Sequence, residues 1–134
     1  MKDKLNVIFI SGPYRDPRGE YLVRENIRYA EHEALFVWFS GGVALCPHLN
    51  TAMFGGAFGI PDDTWLKGDL ELLSRCDAIY MIHGWERSTG AKAEKDYAAE
   101  LGIPVLLSQD DVLAYLGVGK DRSEDDRYYR TLAD

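Results

Sequence analysis

The sequence predicts a single α/β domain, a three-layer sandwich in which helices cover both faces of a mostly parallel sheet of four to five strands. Three observations carry this expectation. The chain has 134 residues, enough for one self-sufficient core and little more. Short apolar runs alternate with helical patterns along it, the signature of a parallel sheet with right-handed crossovers. The apolar runs are continuously hydrophobic instead of alternating, as strands covered on both faces are.

Four such runs are present: Leu5–Ser11 (LNVIFIS), Val43–Cys46 (VALC), Ala78–Ile82 (AIYMI) and Pro104–Leu107 (PVLL). Each ends at or next to Gly, Pro, His or Ser. Between the first two, Val23, Ile27, Ala30, Ala34 and Trp38 recur at spacings of three or four within Arg18–Ser40, predicting a helix with one apolar face that Gly41-Gly42 stops. A second helix is expected from about Thr64 to Arg75, after the turn Pro61-Asp62-Asp63. A third is expected from about Thr89 to Glu100, with Gly102 at its end, and a short fourth from Asp110 to Leu116. The Gly-rich insertion Pro47–Gly59 falls outside the pattern, and loops of that length tend to be functional. Residues 1–117 form the expected domain. Residues 118–134 read as a charged tail or surface helix, with Tyr128 and Tyr129 suited to docking.

Composition narrows the function. Hydrophobic residues at 46% and charged residues at 28% exclude a disordered tail, a collagen-like repeat and a coiled coil. Fifteen basic against 22 acidic residues, a net charge of -7, disfavour a nucleic-acid polymer as partner, while leaving room for a small phosphorylated ligand held locally. No apolar run approaches the ~18 residues of a membrane span, and Met1-Lys2-Asp3-Lys4 leads directly into the first strand, so a cytoplasmic protein without membrane contact is expected. Cys46 and Cys76 are expected to be reduced thiols, with no CxxC or zinc spacing. No cofactor or metal is implied.

Two carboxylates occupy positions that favour apolar side chains. Asp69 has Trp65 and Leu66 one turn before it and Leu72 and Leu73 one turn after, while Lys67, Glu71 and Ser74 mark the solvated edge. In the third helix, Ala91, Glu94, Ala98 and Leu101 follow a three-four-three spacing that turns Glu94 inward. Ser88 is the expected N-cap, which places Glu94 beyond capping-box reach. A buried carboxyl titrates high and suits acid/base work. The plainer alternative gives each an ordinary role, Asp69 reaching water and Glu94 lying incidentally behind a normal cap. Ser88-Thr89-Gly90 offers hydroxyls and unpaired N–H groups at a helix start. Ligands bind beyond the carboxyl ends of parallel strands, where Ser11-Gly12-Pro13-Tyr14-Arg15, His48-Leu49-Asn50 and His83-Gly84-Trp85 should converge.

These residues resemble the nucleoside 2-deoxyribosyltransferase-like superfamily, which includes deoxynucleoside 5'-monophosphate N-glycosidases. Within it they look most like the DUF4406 family. The resemblance spans about Leu5 to Leu107 through IFISGPYR, CPHLNTAMFGG and WLKGDLELLSRCDAIYMIHGWERSTGAKAEKDYAAELGIPVL. It implies a Rossmann-like (flavodoxin-like) fold, and it makes Glu94 of the S-x-G-x-x-x-E segment the nucleophile. Asp69 of D-L-E-x-L-x-x-x-D, which Asp77 closes, becomes its acid/base or sugar-binding partner. It also places Gly12, Arg15 and Ser88 near a 5'-phosphate, and it implies a homodimer or larger homo-oligomer, for which Phe36, Trp38 and Phe39 of the first helix would suit. Phe9 stands where the nucleotide hydrolases carry a Tyr.

The expected function is therefore cleavage or transfer of an N-glycosidic bond in a nucleoside or nucleotide through a covalent glycosyl-Glu94 intermediate, with Asp69 as acid/base. Trp85, Tyr14, Phe54 or Phe58 are candidates to stack on the base, His48 and Asn50 to contact base or sugar, and Gly90 to let the ligand approach the backbone. Three rivals remain open: a nucleotide sensor of the same fold without turnover, a metal-dependent hydrolase built on His48 and His83, and an adaptor acting through the tail.

Overall fold

In the computed structural model, which describes residues 4–119, four parallel strands form one sheet: β1 (Val7–Ser11), β2 (Val43–Leu45), β3 (Ala78–Met81) and β4 (Val105–Leu106), in the order β2-β1-β3-β4. Ile8 pairs with Ala44 on one side and Ala78 on the other, so β1 is central. The helices are α1 (Glu20–Phe39), α2 (Pro47–Asn50), α3 (Asp62–Ser74), α4 (Thr89–Glu100) and α5 (Gln109–Leu116). The expected tail beyond residue 119 lies outside the described residues. None of the described helices is long and apolar enough to cross a membrane.

Strand alternation builds two cores. Ile8, Ile10, Ala78, Tyr80 and Leu106 face α1 and α5, where Ala30, Ala34, Phe36, Val37, Val112 and Leu113 meet them. Phe9, Ile79 and Met81 face α3 and α4, which contribute Leu73, Ala91 and Ala98. This is the expected three-layer sandwich. Cys46 and Cys76 are both free thiols, and burial pushes each up to about 11.

Several expectations about faces need correction. The stripe of α1 continues from Ala34 to Val37, not Trp38, because a period of 3.6 residues drifts away from a fixed spacing of four. Trp38 is 53% exposed, while Phe36, expected at an interface, is in the core. Leu66 and Leu101, expected inward, are also exposed. Helix α3 begins at Asp62, earlier than expected, since Pro61 sits in extended conformation at its N-cap and Asp62 and Asp63 complement the first turn. The insertion is not wholly irregular, for it opens with the single turn α2 and closes with a 3-10 turn at Ala57–Gly59. Within it, Met53 and Phe58 adopt left-handed backbone, and Phe58 is fully exposed.

The strand order changes direction at β1, which places the ligand-binding crevice of such a sheet at the carboxyl ends of β1 and β3. The loops leaving those strands press together there. The Ile82 N–H donates to the Ser11 carbonyl at 2.9 Å, and a Cβ on Gly12 would lie 2.3 Å from Ile82 Cγ1. Gly84 is left-handed, and a Cβ there would come within 3.1 Å of the Pro13 ring. Glycine is required at position 12 by close approach. Gly12→Ala should therefore cost about 1–3 kcal/mol through overpacking, seen as a lower urea midpoint at unchanged slope; an unchanged midpoint would contradict the packing described.

Candidate active site

Ser11 ends β1 on the same face as Phe9, so its hydroxyl points toward α4. It donates to Glu94 Oε1 at 2.6 Å, joining residues 83 positions apart. Glu94 is set by the helix start, where the Ser88 hydroxyl accepts from the Ala91 N–H at 3.1 Å and fixes the first turn. Burial raises the Glu94 carboxyl to about 7; the Ser11 hydrogen bond opposes that rise, and the nearby charge of Asp69 adds to it. Asp69 of α3 is itself pushed up to about 6 by burial. The structure thus brings Glu94 and Asp69 into one electrostatic environment across the α3–α4 contact. One turn before Asp69, the Trp65 indole N–H is buried without a hydrogen-bond partner, and Phe54 packs edge-on against that ring at 5.9 Å.

Asp77 does something else. At the opposite, amino-terminal edge of the sheet its carboxylate accepts from the Val7 N–H at 2.8 Å and pairs with Lys4 at 3.4 Å. It anchors the start of β1.

The residues of the β1 loop are tied down in detail. His48 is buried, and its Nε2 lies 2.8 Å from the Pro13 carbonyl, which can only accept, so Nε2 carries the proton. Burial depresses its basicity, against the pull of the Pro13 and Gly12 carbonyls, which favours the neutral ring. Tyr14 packs edge-on against that imidazole at 5.5 Å, and its hydroxyl accepts from the Met53 N–H at 2.9 Å. The Tyr14 carbonyl accepts from the Asn26 side chain at 3.1 Å. His48 and Tyr14 therefore clamp the loop to the insertion. Arg15 pairs with Asp62 at 3.0 Å, both groups exposed. Farther along the loop, hydrogen bonds from the Arg18 side chain and backbone hold the Asp16 carboxyl down to about 2.

The remaining candidates divide. Gly12 and Gly90 lie beside Ser11 and at the start of α4, and the Ser88 hydroxyl is already engaged as a cap. Trp85 is half-buried with the Lys95 ammonium 5.5 Å from its ring centroid, and it lines a cavity of about 280 Å³ together with His83. Asn50 is exposed and lines a groove along the outer edge of β2, bounded by Trp38 and Leu49. His48 and His83 thus serve different places, and no group of three or more His, Cys, Asp or Glu that could hold a metal ion is found among the described residues.

Sequence reasoning missed Ser11 as the partner of Glu94. The signal was there: a polar residue closing an apolar strand, two positions after Phe9 and hence on its face. It also missed Glu33, which lies at the i+3 position from Ala30 on the buried stripe of α1 and is 8% exposed.

Both raised carboxyls bear on stability. Their folded values exceed the unfolded ones, so their contribution to stability is fully present below about pH 4 and is lost as pH rises through about 6 and about 7. Glu94→Gln, which keeps an acceptor for Ser11, should raise stability at pH 8 by on the order of 2 kcal/mol and give no advantage at pH 4. Thermal melts at the two pH values check this, and equal shifts at both would contradict it.

The comparisons with known proteins agree with this architecture. The chain is similar in fold to the solved structure of a 2-deoxyribosyltransferase from the psychrotolerant bacterium Bacillus psychrosaccharolyticus, with a TM-score of 0.54 and 22% identity over 74% of this chain and 69% of that one. No curated protein matches it. The family described as Domain of unknown function (DUF4406) matches residues 8–107, most of the chain and both carboxylate-bearing helices. The chain belongs to the DUF4406 family, with a nucleoside 2-deoxyribosyltransferase-like fold.

Proposed function

We propose that this protein cleaves or transfers the N-glycosidic bond of a nucleoside or nucleotide, with Glu94 as nucleophile and Asp69 as acid/base partner. One observation carries the reading: a half-buried carboxylate that Ser11 orients, and that burial raises to about 7, lies near a second raised carboxyl at the switch point of the sheet. The fold likeness to a 2-deoxyribosyltransferase supports it at the level of reaction class.

In the first step Glu94 attacks the sugar C1'. The C1'–N bond breaks, its electron pair leaves with the base, and Asp69 delivers a proton to that base. In the second step water or another base attacks C1', Asp69 takes the proton, and Glu94 is released as carboxylate. Ser11 holds one Glu94 oxygen and stabilises the ionised form that the attack requires. His48 and Tyr14 tie the flanking loop to the insertion, and on this reading they hold the loop in place instead of moving protons. A nucleotide-binding sensor is the second reading. It is favoured by Phe9, which is fully buried and lends no hydroxyl to a sugar.

A panel of nucleosides, nucleoside monophosphates and NAD, with free base followed by chromatography, decides between them. Base release that falls at least ~1,000-fold in Glu94→Ala and ~100-fold in Asp69→Asn is the expected result. Thermal stabilisation by a panel member without any base release would establish the sensor instead. The rate should follow a bell-shaped pH profile, because turnover needs one carboxyl ionised and one protonated. With Asp69 at about 6 and Glu94 at about 7, the singly ionised pair carries its proton mainly on Glu94. The reactive form, Glu94 ionised and Asp69 protonated, is therefore the minor tautomer; its population still peaks between these values, where kcat/KM should peak. A rate that climbs steadily to pH 9 would remove the acid from the mechanism.

A further inference from the structure

The cavity that Trp85 lines opens at the carboxyl ends of β3 and β4 and reaches the face of the sheet covered by α1 and α5, opposite to the face on which Glu94 lies. At its buried end stands Glu33. The Tyr80 hydroxyl donates to Glu33 Oε1, and the Gln109 side-chain amide donates to both carboxylate oxygens at 3.3 Å. Both donors are neutral. Among the described residues no Lys or Arg forms an ion pair with Glu33, and none lines the cavity.

A carboxylate removed from water is costly unless a cation compensates it, and two neutral donors do so only in part. The cavity wall adds a second carboxylate, Glu86, and three aromatic rings, Tyr29, Tyr80 and Trp85. Trp85 already has the Lys95 ammonium 5.5 Å from its ring centroid, but no Lys or Arg lines the cavity itself. Two carboxylates beside the Tyr29 and Tyr80 rings repel anions and attract organic cations, whose charge meets the carboxylates while their bodies lie against the rings. The volume, about 280 Å³, suits a small molecule and not a peptide.

We propose that this cavity is a second binding site, for a small organic cation carrying an ammonium or guanidinium headgroup that Glu33 receives. The site is separate from the Glu94 chemistry and stands whether or not that reading holds. It is formed by residues of α1, of the segment after β3 and of the start of α5, so a bound cation ties three elements together at the sheet edge.

Calorimetry and saturation-transfer NMR with n-butylammonium, n-butylguanidinium and, as an anionic control, butyrate test the assignment on the full chain. The expected result is saturable one-to-one binding of at least one cation and none of butyrate. Affinity should fall about tenfold or more in Glu33→Gln and stay unchanged in Glu94→Ala. Failure of both cations to saturate, equal binding of butyrate, or undiminished binding in Glu33→Gln would each overturn it. If Glu33→Gln does not fold, Glu86→Gln at the exposed rim gives the second reading. A twofold or greater loss supports the site, and no change refutes it.

Discussion

The candidate active site depends on one hydrogen bond, from the Ser11 hydroxyl to Glu94 Oε1. It links the end of the central strand to the second turn of α4 and fixes where a half-buried carboxylate points. The bond forms only if β1 lies between β2 and β3, if the loops after β1 and β3 meet closely, and if α4 starts at Ser88. The sheet order supplies the first condition, Gly12 against Ile82 the second, and the Ser88 cap the third. The Val7–Asp77 contact at the far edge sets the start of the same strand, so its register is held at both ends.

The electrostatics run against stability. Helices α3 and α4 each spend a core-facing position on an acid, and burial holds both acids above their ordinary values. A fold selected for stability alone gains more from apolar side chains at such positions, and a conflict between stability and local chemistry is the usual mark of a functional site. Helix α1 repeats the conflict with Glu33, on the other face and with a different solution: neutral donors from Tyr80 and Gln109, and an open cavity beside them. The two places differ in kind. Glu94 lies near a second raised carboxyl, that of Asp69, whereas Glu33 is met by two neutral donors.

Much of this was legible in the residues. Continuous apolar runs such as VIFIS announced strands covered on both sides, and helical spacing put Asp69 and Glu94 on the partly buried side of their helices, although Leu66 and Leu101 of the same patterns are exposed. What escaped has physical causes. Trp38 was placed inward because a spacing of four was extended where the 3.6-residue period turns the stripe onto Val37. The engagement of His48 with Pro13 depends on two loops meeting in space, which no local pattern encodes. Ser11 and Glu33 carried a signal, but a lone hydroxyl or acid on an apolar face acquires meaning only once its partner on another element is known.

The central claim is that the Glu94 carboxyl is held near neutrality by burial while Ser11 favours its ionised form. Carbon-13 NMR titration of the Glu94 carboxyl, in the unmodified chain and in Ser11→Ala, measures this directly. The account predicts a midpoint at about 7, moving higher in Ser11→Ala, where the stabilising donor is lost. A midpoint at the ordinary value of 4.5, or no movement on removing the hydroxyl, would contradict it.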